Sequence, residues 1–126
     1  PYERAAFLRW MFFAAGPLEQ AIISKAMGWQ TEDVSKERML GFGSFDHTVD
    51  TLAAHVAANA YVCGDRFTAA DVYVGSQVLW GVDFGTLPKR DEFVAYADRL
   101  RTRPAYLRGK AIDNALIAEM KVSAEG

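Results

Sequence analysis

Apolar residues recur at three- and four-residue steps almost throughout this chain, and this spacing restricts the fold more than any other feature of the sequence. Residues three and four apart share one face of an α-helix, whereas a half-buried strand needs strict alternation of polar and apolar residues. No stretch shows that alternation. The sequence therefore predicts an all-α domain, with helices over about residues 2–27, 35–58, 68–81, 89–102 and 106–120 and a frayed tail over 121–126.

Glycine and proline mark two predicted irregularities. Gly16-Pro17 should bend the first helix, because proline lacks an N–H group and clashes with the preceding turn. Gly41 and Gly43 fall inside the second predicted helix, where each costs about 1 kcal/mol relative to alanine. We therefore expect another backbone to pass close to these two glycines.

The segment GDRFTAADVYVG, residues 64–75, predicts the start of a helix in detail. Thr68 and Asp71 have the spacing of a capping box, and Phe67 and Val72 occupy the positions of a hydrophobic staple. Each polar group of this motif has a backbone task, so the motif indicates structure rather than catalysis. The helix that follows is apolar almost all round, which predicts a place at the centre of the bundle.

Composition narrows the possible function classes. At 126 residues and 51% hydrophobic content, the chain is expected to be one folded, soluble domain. Fourteen basic and sixteen acidic residues give a net charge of −2 without a basic cluster, which argues against a nucleic-acid partner. No apolar run approaches the roughly 20 residues of a membrane span, and no signal peptide is visible.

The sequence offers few candidate residues for metal binding or thiol chemistry. The single cysteine, Cys63, excludes an internal disulfide and fits a reducing cytoplasm. It has no His or Lys neighbour in the sequence, so we interpret it as an inert thiol. His47 and His55 lie eight residues apart on one helix, about 12 Å of rise, too far for one metal ion to bridge. We therefore expect no metal site.

The order of the predicted elements resembles a known family. A long first helix reading ERAAFLRWMFFAAGPLEQA precedes a second long helix, the loop YVCGDRFTAADVYV and the segment DEFVAYADRLRTRPAY. This order is similar to the C-terminal all-helical domain of bacterial cytosolic glutathione S-transferases, and the capping box is its most specific part. The resemblance implies a five- to six-helix bundle over residues 1–126, which follows a thioredoxin-like domain, forms a homodimer and lines the pocket for a hydrophobic electrophile.

The catalytic half of that family has no counterpart in this sequence. The family holds glutathione, its co-substrate, with an acid-Ser pair and a thiol-activating residue of the N-terminal domain, and no Glu-Ser or Asp-Ser pair occurs here. The chain is therefore expected to be a fragment that begins near the interdomain linker, at Pro1-Tyr2, and to be inactive alone. No catalytic residue is assigned to it.

The resemblance also implies candidate binding residues. The first helix of the family faces the cleft, which points to Arg9, Phe12 and Phe13 for the electrophile. An acid near the dimer cleft, here Glu3, would lie close to the glutathione of the neighbouring subunit. The alternative for Phe12 and Phe13 is an ordinary core position on an amphipathic helix. The tryptophans are interpreted as core or interface anchors.

Two functions remain open at this point. The first is the electrophile pocket and part of the dimer interface of a cytoplasmic glutathione transferase. The second is a non-enzymatic helical interaction module of the same fold, since folds are reused for unrelated functions. A cofactor-binding four-helix bundle is set aside, because it needs inward Glu and His at Glu-x-x-His spacing, which the sequence lacks.

Overall fold

The computed structural model describes residues 2–124 and begins with a long helix that one irregular turn divides. Helix α1, Tyr2–Phe13, leads into a π-helical turn, Ala14–Leu18, and then into α2, Glu19–Ala26. The turn contains Pro17, at the position where the sequence predicts a bend. A wider π turn accommodates a residue that cannot donate the usual backbone hydrogen bond and whose ring crowds the preceding turn.

The prediction of one continuous second helix is wrong. It is divided into α3, Val34–Glu37, and α4, Phe45–Ala58. Gly43 adopts a left-handed backbone conformation with φ of +70°, and Ser44 caps α4 by accepting a hydrogen bond from the His47 N–H at 3.2 Å. The expected close approach of another backbone is also wrong, because no atom lies within 4 Å of a Cβ built on Gly41 or Gly43. Gly43 serves a turn rather than a close contact.

The capped helix is α5, Ala69–Phe84, with Thr68 at its N-cap and the capping box formed. Its last residue, Phe84, lies three residues beyond the predicted end, and Gly85 follows as the C-cap with φ of +76°. Two glycines inside it allow close packing against the core. A Cβ built on Gly75 would meet the Leu100 side chain, and one built on Gly81 would lie 2.6 to 2.8 Å from three atoms of Leu87.

Two further helices complete the chain. Helix α6, Asp91–Arg101, buries the four residues that its spacing predicts as its inner face, namely Phe93, Tyr96, Ala97 and Leu100. Helix α7, Pro104–Ala124, starts with proline in its first turn, where the missing N–H has no consequence. The predicted frayed tail is wrong for residues 121–124, which continue α7, and residues 125 and 126 lie outside the described part.

The hydrophobic core lies where α5 packs against α1 and α6, and where α4 packs against α2 and α6. Helix α1 and its continuation bury Trp10, Ala14, Leu18 and Ala21, so the buried stripe runs beside Phe12 rather than through it. Helix α5 is central, as predicted, although one of its faces is open. Every described side chain from Leu107 to Val122 is exposed, and α7 packs mainly against α6.

The all-α class is confirmed for residues 2–124, which contain no strand beyond an isolated bridge between Tyr61 and Gly64. Within these residues no helix combines the length and apolar character that crossing a lipid bilayer requires. Assignment to the glutathione transferase type of bundle is a finer statement and belongs with the proposed function.

Candidate functional site

A groove of about 480 Å³ lies between α5 and α7, with the end of α6 at its base. Its volume falls within the range of roughly 300 to 1,000 Å³ that is typical of small-molecule sites. Helix α6 ends at Arg101 and α7 starts at Pro104, so only two residues separate the helices, and α7 lines the groove opposite α5. The two helices therefore face each other across open space.

The α5 wall of the groove is mostly apolar, and most of its apolar side chains are exposed. Val72, Leu79, Trp80 and Phe84 line it, and Trp80 and Phe84 remain 69% and 77% exposed. Large apolar side chains that gather on one open surface mark a binding site more often than scattered ones do. The open face of α5 is thus the strongest indication of a ligand or partner in this molecule.

The opposite wall, on α7, is more polar. Tyr106, Gly109, Lys110 and Asp113 line it. Arg103, just before α7, places its guanidinium carbon 3.2 Å from the centre of the Phe67 ring, a cation–π contact. The groove thus combines aromatic surface on one side with charged groups on the other.

Asp71 lies at the floor of the groove but is not available to a ligand. It is 1% exposed, and its carboxylate accepts hydrogen bonds from the N–H groups of Val62 and Thr68, each at 2.9 Å. The hydroxyl of Tyr96 donates at 2.8 Å and that of Thr68 at 3.2 Å. Four donors saturate one carboxylate, so Asp71 joins the loop, the cap and α6 and cannot serve as a general base.

The same network acts on Tyr96. Burial, followed by the negative charge of Asp71 and the hydrogen bond to it, raises the pKa of Tyr96 far above its ordinary value. Tyr96 therefore stays protonated and keeps donating to the carboxylate at all pH values below that of an ordinary tyrosine's ionisation. No buried polar side-chain atom in residues 2–122 lacks a hydrogen-bond partner.

The residues predicted for the electrophile lie outside this groove. Arg9 is exposed, with its guanidinium 5.6 Å from the centre of the Trp10 ring, and Phe12 is 72% exposed on α1. Phe13 is half-buried against Trp10, in an edge-to-face contact at 5.0 Å. None of the three lines the groove. Their predicted role in binding an electrophile stays a prediction.

Glu3, predicted to lie near a neighbouring subunit's glutathione, has a partner within its own chain. The Nε of Arg66 lies 2.6 Å from its carboxylate, and this hydrogen bond lowers the pKa of Glu3. Both staple residues, Phe67 and Val72, line the groove, and the Phe67 ring also meets Tyr61 edge to face at 5.9 Å. Both predicted staple positions therefore lie in the groove wall, and the staple contact between them stays a prediction.

Neither the cysteine nor the histidines form a reactive or metal-binding cluster in the described chain. Cys63 is half-buried, and its Sγ lies 3.4 Å from the Thr68 hydroxyl oxygen. His55 stacks on Trp10 with ring centroids 4.0 Å apart, and its Nε2 lies 2.9 Å from the Val62 carbonyl oxygen. His47 is exposed. Cys63 and His55 are therefore in contact with other groups of the protein, and His47 lies on the surface.

Sequence reasoning missed the residues that line the groove most openly. Trp80 and Phe84 are one helical turn apart, and Lys110 follows Arg103, the residue just before α7, by seven positions. The sequence feature that could have indicated the groove is the apolar character of α5 on all sides. A helix without a polar face needs a second apolar partner besides the core. What it could not indicate was which surface of α5 remains open.

Comparison with known proteins gave no match: no family model, no curated protein and no solved structure matches the chain.

Proposed function

We propose that this chain is the helical, ligand-binding domain of a cytoplasmic glutathione transferase, and that its groove between α5 and α7 receives the hydrophobic electrophile. The observation that carries the proposal is the apolar wall of Trp80, Phe84 and Val72, which faces open space of small-molecule size. Within this proposal, glutathione is bound by a thioredoxin-like domain outside the chain, and the bundle supplies binding energy rather than catalytic groups.

Two features support this function over an active site within the chain. The most buried acid, Asp71, has all of its hydrogen-bonding capacity engaged, and Cys63 does not line the groove. A groove lined by neither cysteine nor histidine, with its buried acid fully hydrogen-bonded, supports a role in positioning a substrate more than a role in activating a thiol. The proposed division of labour assigns that activation to the other domain.

A second candidate function is a helical module that binds another protein. The observation that favours it is the second half of α7, whose side chains project from the bundle uncovered. Its exposed apolar residues are Ile112, Leu116, Ile117, Met120 and Val122. A surface of this kind fits a protein partner better than a small molecule, because it forms no concave site.

Fluorescence binding tests the ligand groove directly. The neutral apolar dye phenylnaphthylamine should bind the 126-residue chain, and chlorodinitrobenzene should displace it. Trp80→Ala should abolish dye binding, whereas Trp29→Ala should not, because Trp29 is similarly exposed, at 67%, but lies outside the groove. Dye binding that survives Trp80→Ala would refute the groove as the ligand site.

Activity separates the transferase from the interaction module. The isolated chain should show no conjugation of glutathione to chlorodinitrobenzene and no tight binding of glutathione. The protein translated from the complete natural gene should conjugate the two, through an upstream thioredoxin-like domain. A complete protein that binds the dye but never conjugates glutathione would instead support the interaction module.

A further inference from the structure

We propose that two copies of this chain form a dimer through α7, in which each copy inserts the Met120 end of its α7 into the groove of the other. The contact surface is the side of α7 that faces the groove. Such a dimer goes beyond the proposed function, because it forms whether or not the groove binds an electrophile. In the dimer the groove is occupied, so a small molecule has free access to it only in the monomer.

The groove-facing side of α7 continues past the groove as an apolar surface. Asp113 is the last residue of α7 that lines the groove. Leu116, Ile117 and Met120 follow it by three, four and seven positions, and these spacings place them on the same face of a helix. All three side chains are exposed. The face of α7 that begins in the groove therefore ends as an uncovered apolar surface.

This surface is complementary to itself when two α7 helices run antiparallel. In a contact with two-fold symmetry, residue i of one copy faces residue j of the other while j faces i. When Leu116 lies opposite Ile117 of the second copy, Asp113 lies opposite Met120 of the second copy. Each of these four positions thus meets another position of the same face, so the apolar surface of one copy covers that of the other.

Met120 of the second copy reaches the aromatic wall of the groove in this register. Asp113 lines the groove together with Trp80 and Phe84, so the side chain opposite Asp113 enters the groove beside them. Methionine suits an open aromatic surface, because it is unbranched and its sulfur makes favourable contacts with aromatic rings. The groove volume of about 480 Å³ leaves room for such a side chain.

The charges at this contact also fit a second copy. Neither Asp113 nor Lys121 forms an ion pair with another residue of the described chain. In the antiparallel register, Lys121 of the second copy lies opposite Ile112, next to Asp113 in the sequence and within reach of its carboxylate. The two-fold axis makes this pair twice. A carboxylate without an ion-pair partner thus gains one from the second copy.

The available area is that of a weak dimer. A standard interface buries roughly 800 Å² on each partner. Trp80 and Phe84 are 69% and 77% exposed, and large aromatic side chains offer about 150 to 250 Å² each, so these two supply roughly a third of that area. The apolar side chains of α7 add to it, and a polar rim is normal for the remainder.

Sedimentation equilibrium of the 126-residue chain, from low to high micromolar concentration, tests the dimer. We expect an exchange between monomer and dimer. Leu116→Lys and Met120→Lys should each weaken the dimer at least about tenfold, because each places two unpaired ammonium groups in the contact. The matched control is Val122→Lys, since Val122 is also exposed but follows Asp113 by nine positions, which places it on the opposite face of α7. It should leave the dissociation constant unchanged.

Charge reversal tests the antiparallel register. Asp113→Lys should weaken the dimer about two- to fivefold, the range of an exposed ion pair, because it gathers three lysines, Lys110 among them. The double variant Asp113→Lys/Lys121→Asp should restore the affinity, because it rebuilds the pair with its signs exchanged. These positions of α7 are exposed, so the variants leave the hydrophobic core intact, and an unchanged urea midpoint checks this.

The outcomes decide between a second copy and another cover for α7. A chain that stays monomeric at high micromolar concentration would overturn the dimer, as would a dimer that survives both Leu116→Lys and Met120→Lys. Failure of the double charge reversal to restore the affinity would overturn the antiparallel register. Phenylnaphthylamine binding by the dilute monomer is a separate result, because neither Leu116 nor Met120 lines the groove of its own chain. A failed dimer therefore leaves the proposed function standing.

Discussion

Replacement of Asp71 by alanine should destabilise the protein more than the loss of a helix cap alone. From the sequence, the cap predicts a cost of about 1 to 2 kcal/mol. The structure adds two further donors, because the Val62 N–H and the Tyr96 hydroxyl also lose their acceptor. Each buried donor left unpaired costs about 1 to 3 kcal/mol.

Together these terms predict a loss of at least about 3 kcal/mol in the free energy of unfolding. The lower end is expected because removing a buried carboxylate also removes the cost of its desolvation. A loss of this size is a large share of the roughly 5 to 15 kcal/mol that stabilises an ordinary domain. The natural control is Asp46→Ala, an exposed acid in the first turn of α4, which should cost less than about 1 kcal/mol.

The assay is urea unfolding at neutral pH, followed by far-ultraviolet circular dichroism, with the slope m checked for constancy. Tyr96→Phe should cost about 1 to 2 kcal/mol, because the carboxylate keeps three donors. The double variant should then be less destabilised than the sum, because the tyrosine hydroxyl is no longer left unpaired. Strict additivity, or an Asp71→Ala effect no larger than that of Asp46→Ala, would refute the network.

Three other outcomes follow from named contacts. The pKa of Tyr96 is raised in the folded state, so its contribution to stability is present below pH 10 and is lost as the pH rises further. The free energy of unfolding should then fall by up to about 1.4 kcal/mol per pH unit. Tyr96→Phe should remove this loss, whereas Tyr2→Phe, at an exposed site, should not. Gly81→Ala should destabilise by about 1 to 3 kcal/mol in urea unfolding through overpacking, whereas Gly109→Ala, with open space around it, should stabilise by up to about 1 kcal/mol. The isolated chain should self-associate through its exposed apolar surfaces, α1 among them, and sedimentation should show Phe12→Lys as the more monomeric form; a clean wild-type monomer at micromolar concentration would contradict this.

How much of the fold the sequence predicts depends on how one-sided each helix is. Helix α6 has one apolar and one polar face, so the spacing of its apolar residues is enough to predict the buried ones, namely Phe93, Tyr96, Ala97 and Leu100. The break before α4 was missed because Gly43 was interpreted as a glycine inside a helix. The paired signal was Gly43 followed by Ser44, a left-handed turn residue and then a cap.

The groove could not be predicted for a different reason. Helix α5 is apolar on every side, so its sequence does not distinguish the face packed against α1 and α6 from the face that exposes Trp80 and Phe84. The prediction that α1 binds the ligand comes from a family resemblance. A resemblance indicates which sequence positions correspond, but it does not show which side chains of this chain are in contact. Only the packing of α7 away from α5 decides where open space remains.

The capping motif also supplies part of the groove wall, and one substitution separates its two roles. Phe67 supports the guanidinium of Arg103 and precedes the cap residue Thr68. Phe67→Leu keeps an apolar side chain and the capping box but removes the aromatic face on which Arg103 rests. The affinity for phenylnaphthylamine should therefore fall by less than it does in Trp80→Ala, because the exposed side chains of α5 remain. A loss of dye binding in Phe67→Leu as complete as that in Trp80→Ala would mean that the entry to α5, rather than its open face, forms the ligand site.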